Sequence, residues 1–210
     1  MAHYQTEEQQ LEVIRDFFKQ NSGFFVMFLI LILLSVLGYR YWQSHHTKVL
    51  SEASTVYESL MQAASKGEDK NIQAFADRLV QSYPQTIYAQ AGELILAKFF
   101  VQNSQMDKAK QALTEVMNNA SLPPIKQIAR IRLARVLMNE QDYTQALSVL
   151  KVRSDKHYDS VVFELEGDIY LTQQQLAKAK EAYEQAMQIG KEKGMVNGVL
   201  DIKLARLAQK

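Results

Sequence analysis

Ile131-Arg-Leu-Ala-Arg-Val-Leu-Met-Asn-Glu-Gln-Asp-Tyr-Thr-Gln-Ala146-Leu-Ser-Val-Leu150 has apolar residues at helical spacing on both sides of a polar Asn-Glu-Gln-Asp turn. Two other stretches repeat its layout. Aligned on Ala146 are Ala109, within Leu94-Ile-Leu-Ala-Lys-Phe-Phe-Val-Gln-Asn-Ser-Gln-Met-Asp-Lys-Ala109-Lys-Gln-Ala-Leu113, and Ala179, within Glu164-Leu-Glu-Gly-Asp-Ile-Tyr-Leu-Thr-Gln-Gln-Gln-Leu-Ala-Lys-Ala179-Lys-Glu-Ala-Tyr183. Small residues recur twelve positions earlier, at Ala97, Ala134 and Gly167. Bulky ones recur nine before (Phe100, Leu137, Tyr170), three before (Met106, Tyr143, Leu176) and four after (Leu113, Leu150, Tyr183). The small set lets the two helices of a pair approach closely, and the bulky set fills the space between neighbouring pairs.

The anchoring alanines lie 37 and then 33 residues apart, and Ser-Leu-Pro-Pro at 121–124 reads as an inserted linker in the longer interval. This layout resembles the tetratricopeptide repeat, a helical hairpin of about 34 residues. The glycine that usually marks the turn inside that hairpin is absent. Ser104-Gln105, Gln141-Asp142 and Gln174-Gln175 stand there instead. Ala-rich helices of an arbitrary bundle also align in places, but three copies matched at five positions favour the repeat.

Other helices surround this core. Ser44 to Lys66 carries Val49, Leu50, Ala53, Val56, Tyr57, Leu60 and Ala64 at helical spacing, with Gly67-Glu-Asp-Lys as its stop. Asn71 to Ser82 reads as a second helix, capped by Asn71 and ended before Pro84. Ile87 to Val101 opens the first clear repeat. A last helix, expected after Gly190 over about Glu192 to Gln209, offers Leu200, Leu204 and Leu207 to cover the end of the stack.

Upstream, Gly23 to Tyr39 runs seventeen positions without a charge. A helix rises about 1.5 Å per residue, so roughly 20 residues cross a hydrocarbon layer of about 30 Å. Tyr39, Tyr41 and Trp42 suit headgroup depth and Arg40 can snorkel to water. Glu7, Glu8, Glu12 and Asp16 precede the run, and no small-x-small site follows it, so a cleavable signal peptide is disfavoured. Arg15 and Lys19 on one side balance Arg40 and Lys48 on the other, so charge does not choose an orientation. The short amino-terminal flank favours a cytoplasmic tail. The expected fold is therefore all-α: a single N-terminal transmembrane helix followed by a tetratricopeptide-like α-hairpin solenoid with a C-terminal capping helix. Its divisions are a tail over 1–22, an anchor over 23–42 and one domain over 43–210.

With 24 basic and 23 acidic residues mixed along the chain, no stripe of basic charge suggests a nucleic-acid surface. Zero Cys removes disulfides, thiolate catalysis and Cys-based zinc sites. Of the four His, adjacent His45 and His46 face directions about 100° apart on a helix and do not pair on one metal. Placement at the interface beside Trp42 accounts for them. His157 sits in a polar loop without a nucleophile or pocket in view. No catalytic residue, cofactor site or metal site is expected, and the chain reads as a non-enzyme.

A hairpin stack binds through the first helix of each repeat, where positions three or four apart share a face. That mapping gives Leu94, Lys98, Val101 and Gln102, then Ile131, Arg135, Met138 and Asn139, then Glu164, Asp168, Leu171 and Thr172. Apolar positions among Lys98, Arg135 and Asp168 would suit a bound polypeptide segment. The alternative, that some of these pack against the first hairpin or the last helix, stands equally.

Arg15-Asp-Phe-Phe-Lys-Gln-Asn, Gly38-Tyr-Arg-Tyr-Trp-Gln-Ser-His45, Arg130-Ile-Arg-Leu-Ala-Arg-Val, Leu165-Glu-Gly-Asp and Ala179-Lys-Glu-Ala-Tyr together resemble the YfgM family, ancillary subunits of the bacterial SecYEG translocon. The resemblance implies a single-pass inner-membrane protein with a cytoplasmic N-terminus and a periplasmic tetratricopeptide-like domain. It also implies association with the SecYEG translocon and with a membrane-anchored periplasmic chaperone of the prolyl-isomerase-like type. The leading expectation is a module that helps exported polypeptides pass from translocon to chaperone. A scaffold without clients and a stress-response regulator acting through residues 1–22 are the alternatives.

Overall fold

The computed structural model describes residues 15, 19, 22–195 and 198–209, so nearly all of the acidic tail lies outside the described residues. The chain divides into two compact units, Met1–Ser51 and Glu52–Lys210. From Ser22 onward the helices run α1 (Ser22–Lys66), α2 (Asp69–Ser82), α3 (Ile87–Gln102), α4 (Met106–Asn119), α5 (Pro123–Asn139), α6 (Tyr143–Leu150), α7 (Asp159–Thr172), α8 (Leu176–Glu192) and α9 (Gly198–Ala208). A single 3-10 turn, Lys156–Tyr158, precedes α7, and no strand occurs among the described residues.

Within the first unit, the apolar side chains from Val26 to Leu37 are 45–64% exposed among the described residues. Hydrocarbon is the medium in which such a helix is stable, because its backbone is already hydrogen-bonded within itself. The hydroxyl of Ser35, the polar side chain inside the run, donates to the Leu31 carbonyl at 2.8 Å. At the polar end the Trp42 and His46 rings stack at 5.6 Å, one helical turn apart.

The second unit is a series of antiparallel hairpins whose cores pass from one to the next. Ala53, Val56 and Leu60 of α1 pack with Ile72, Ala76 and Leu79 of α2 and with Leu96 and Phe99 of α3. Leu94 and Ala97 of α3, Leu113 and Val116 of α4, Ile131, Ala134 and Leu137 of α5, and Leu150 of α6 continue the core into Val162 and Leu165 of α7. Ala179, Tyr183 and Ala186 of α8 close it with Leu200 of α9, and Leu204 and Leu207 pack alongside. The capping role expected for these three leucines is met.

Within each of the three repeats the turn has one backbone form. Ser104, Gln141 and Gln174 adopt φ of 57°, 64° and 60°, the left-handed region that glycine normally fills. The next residue's N–H reaches back to the carbonyl five positions earlier, Gln105 to Phe100, Asp142 to Leu137 and Gln175 to Tyr170, at 2.8–2.9 Å. Gly67 and Gly194, each at φ 68°, make the same turn after α1 and α8. The repeats thus keep the geometry and omit its customary residue.

Three boundaries differ from the sequence reading. The second helix begins at Asp69 with Glu68 as its cap residue, and Asn71 lies inside it, donating to Glu68 Oε2 at 2.7 Å. Pro123 and Pro124 are the first turn of α5 rather than linker, since a missing N–H costs nothing there. Gly190 does not end a helix: α8 continues to Glu192 and turns at Gly194. A Cβ on Gly190 would lie 3.1 Å from the Met195 carbonyl oxygen, so this glycine admits the returning chain.

Candidate functional site

The first helices of the repeats place the expected residues in three settings. Leu94 and Ile131 are 7% and 5% exposed and form part of the core, and Met138 is half-buried against it. Lys98, Val101 and Arg135 come together. They line a groove of about 280 Å³ between α3, α4 and α5, whose floor is the buried Ala97, Leu113 and Val136. Gln102, Asn139 and Thr172 are exposed.

Arg132 completes this groove and escaped the sequence mapping. Counting by four from Ile131 selects Arg135, and Arg132, three positions before Arg135, shares that residue's face rather than Ile131's. Its Nη1 donates to the Leu94 carbonyl at 2.9 Å, which fixes the guanidinium on α3. Burial pushes this group below its ordinary value, and the Arg135 charge pushes in the same direction. Lys98 and Arg135 make no ion pair among the described residues, and no carboxylate lines the groove.

Asp168 and Leu171 line a separate cavity of about 260 Å³ beneath α9, with Tyr183, Lys203, Arg206 and Leu207. Lys203 Nζ donates to Asp168 Oδ1 at 2.6 Å and to Glu164 Oε1 at 2.8 Å. The Tyr183 hydroxyl donates to Asp168 Oδ1 at 2.7 Å. The third repeat's acidic positions are therefore engaged by the last helix, and Lys98, Val101 and Arg135 are the mapped positions that come together on an accessible groove.

A larger cavity, about 440 Å³, opens beside the second helices, where Asp77 and Val80 of α2, Glu93, Leu96 and Phe100 of α3, and Lys108 and Glu115 of α4 meet. Burial, then the Glu115 charge, pushes the Glu93 carboxyl up to about 7. The signal for it was a carboxylate inside the small and apolar run Ala91-Gly-Glu-Leu-Ile-Leu-Ala. His157 is exposed and pairs with Asp155 Oδ1 at 2.7 Å.

Stacked α-hairpins with an apolar, charge-rimmed groove define a repeat protein of the kind that docks other polypeptides. The chain belongs to the tetratricopeptide repeat-like domain family, whose model matches residues 15–209. It is 28% identical to the ancillary SecYEG translocon subunit of Escherichia coli K12 over 88% of each protein. It is also 28% identical to the ancillary SecYEG translocon subunit of Neisseria gonorrhoeae over 99% of this chain and 100% of the relative. The resemblance to YfgM read from the residues is thereby borne out. Among solved structures, BtubC from P. vanneervenii superposes with a TM-score of 0.65 at 12% identity, covering 81% of this chain and 77% of that one. Pseudomonas aeruginosa pilF gives 0.60 at 17% identity, covering 75% and 68%. These two share the fold.

Proposed function

We propose that this chain is a non-catalytic, membrane-anchored docking subunit of the SecYEG translocon. Residues 1–22 form a cytoplasmic tail, residues 23–42 span the inner membrane and residues 43–210 work in the periplasm. There the groove of Lys98, Val101, Arg132 and Arg135 receives exported polypeptides and passes them to a membrane-anchored prolyl-isomerase-like chaperone. The observation that carries this reading is the groove itself: an apolar floor between two repeats, rimmed by Lys98, Arg132 and Arg135 with no carboxylate in its lining, on the helix face that repeat stacks use for binding. Tethering such a groove beside an exit channel raises its effective concentration around emerging chains, so weak contacts suffice. The relatives that bear the translocon name match this chain along most of its length, which supports the proposed partner.

A photo-crosslinking residue placed at Val101 of the full chain tests it in membranes with an arrested exported substrate. Adducts with translocating chains, together with recovery of translocon subunits in detergent, are expected. Recovery of the translocon without any adduct would instead make the chain a scaffold. Because the sequence has no Cys, a single cysteine at Gln209 reports orientation by its reaction with an impermeant maleimide from the periplasmic side.

A further inference from the structure

We propose that the groove between α3 and α5 selects an extended acidic segment, with carboxylate side chains alternating with small apolar ones. This rests on the docking reading above and names the chemistry of the occupant. Three cations converge on one small groove, and its lining holds no carboxylate to answer them. They differ in rigidity. Arg132 is half-buried and fixed by its bond to the Leu94 carbonyl, whereas Lys98 and Arg135 are exposed and adaptable. A fixed guanidinium presents paired N–H groups in the geometry that a carboxylate accepts, and the mobile pair can close around the remaining charge.

The spacing fits an extended chain. Arg132 and Arg135 are one turn apart on α5, which sets their Cβ atoms about 5–6 Å apart. Same-face residues of an extended segment lie roughly 6.6 Å apart, so carboxylates at alternate positions reach successive arginines. The intervening side chains point the other way, and those nearest the floor meet Ala97, Leu113 and Val136, all buried, with Val101 as the wall. The floor therefore asks for apolar groups and the rim for anions. Burial and the neighbouring Arg135 charge both work against the Arg132 cation, and the negative charge of an arriving carboxylate offsets them. An anionic lipid headgroup offers the same charge, but it has no apolar side chains between its charged groups to meet the floor of Ala97, Leu113 and Val136.

The test uses the full chain in nonionic micelles and three labelled peptides of one apolar framework, with Glu, Gln or Lys at the alternate positions. Anisotropy should show the Glu peptide binding roughly tenfold tighter than the Gln peptide, with the Lys peptide weakest and the preference shrinking as salt rises. Lys98→Glu with Arg135→Glu should reverse the order while the helical circular dichroism is kept, and Lys191→Glu on α8 should leave it unchanged. Equal binding of the Glu and Gln peptides, both lost in Val101→Trp, would overturn the acidic preference and leave the groove reading standing. No peptide binding, or binding indifferent to Val101→Trp, would remove the groove reading itself. Displacement of the Glu peptide by phosphatidylglycerol added to the micelles would reassign the cations to a lipid headgroup and overturn the proposal.

Discussion

The ring of Tyr183 on α8 occupies the space where a side chain on Gly167 of α7 would begin: a Cβ there would lie 2.5 Å from Cδ1 and 3.1 Å from Cζ. The equivalent positions of the other repeats hold Ala97 with Leu113 and Ala134 with Leu150. One repeat has exchanged a methyl and an isobutyl group for a hydrogen and a phenol. The exchange also places the Tyr183 hydroxyl on Asp168.

Gly167→Ala should therefore destabilise the domain by about 1–2 kcal/mol, since overpacking outweighs the gain in helix propensity. In a Tyr183→Leu background the same change should become neutral or stabilising. Chemical denaturation of the four proteins of this cycle measures the coupling, expected at roughly 1–3 kcal/mol. Additive effects would show that the close approach is relaxed elsewhere.

The left-handed turns at Ser104, Gln141 and Gln174 carry a conformational cost that glycine does not. Replacing any one of them with Gly should raise stability by about 0.5–1 kcal/mol, after the larger entropy of the unfolded glycine is subtracted. The triple variant should approach the sum, because the turns share no partner. An unchanged melting temperature would mean these side chains reach the left-handed form without strain.

Lys203 holds α9 to α7 through Asp168 and Glu164. Burial opposes its charge, but the hydrogen bonds to Asp168 and then Glu164 outweigh this and raise the ammonium above its ordinary value. Its contribution is thus fully present below about 10.5, the unfolded value, and is lost as pH climbs through the raised one. Lys203→Met should cost about 1–3 kcal/mol by leaving two half-buried carboxylates without their cation. Hydrogen exchange should locate the loss in α9 and spare α3 to α6.

Glu93 runs the other way. Its carboxyl is raised to about 7 in the folded chain from an ordinary 4.5, so the folded state holds more protons between those values. Stability should fall as pH rises through that window and level off above it. Glu93→Gln should remove this slope and stabilise the domain at pH 8 by about 1 kcal/mol, a figure that allows for solvent screening of a half-exposed group. Melting curves at pH 5 and pH 8 decide the sign.

The periodic signals gave the helices and their pairing, because small residues such as Ala97 and Ala134 mark helix contacts wherever they occur at fixed intervals. Boundaries were harder where a residue has two uses. Gly190 looked like a stop but serves close packing inside α8, and Asn71 looked like a cap but bonds to the residue that precedes the helix. The groove was half visible. Lys98, Val101 and Arg135 follow from counting along a helix, whereas the engagement of Asp168 by Lys203 joins residues 35 apart in sequence. No local pattern encodes that bond, and it is what separates the third repeat from the accessible face.

Leu200, buried to 1% exposure, covers Ala179, Tyr183 and Ala186 of α8, yet Val199 and Ile202 of the same helix stay 52% and 55% exposed. The last helix is therefore apolar on more than one side. It shields the final hairpin from water and at the same time shows its surroundings a smaller apolar face of its own.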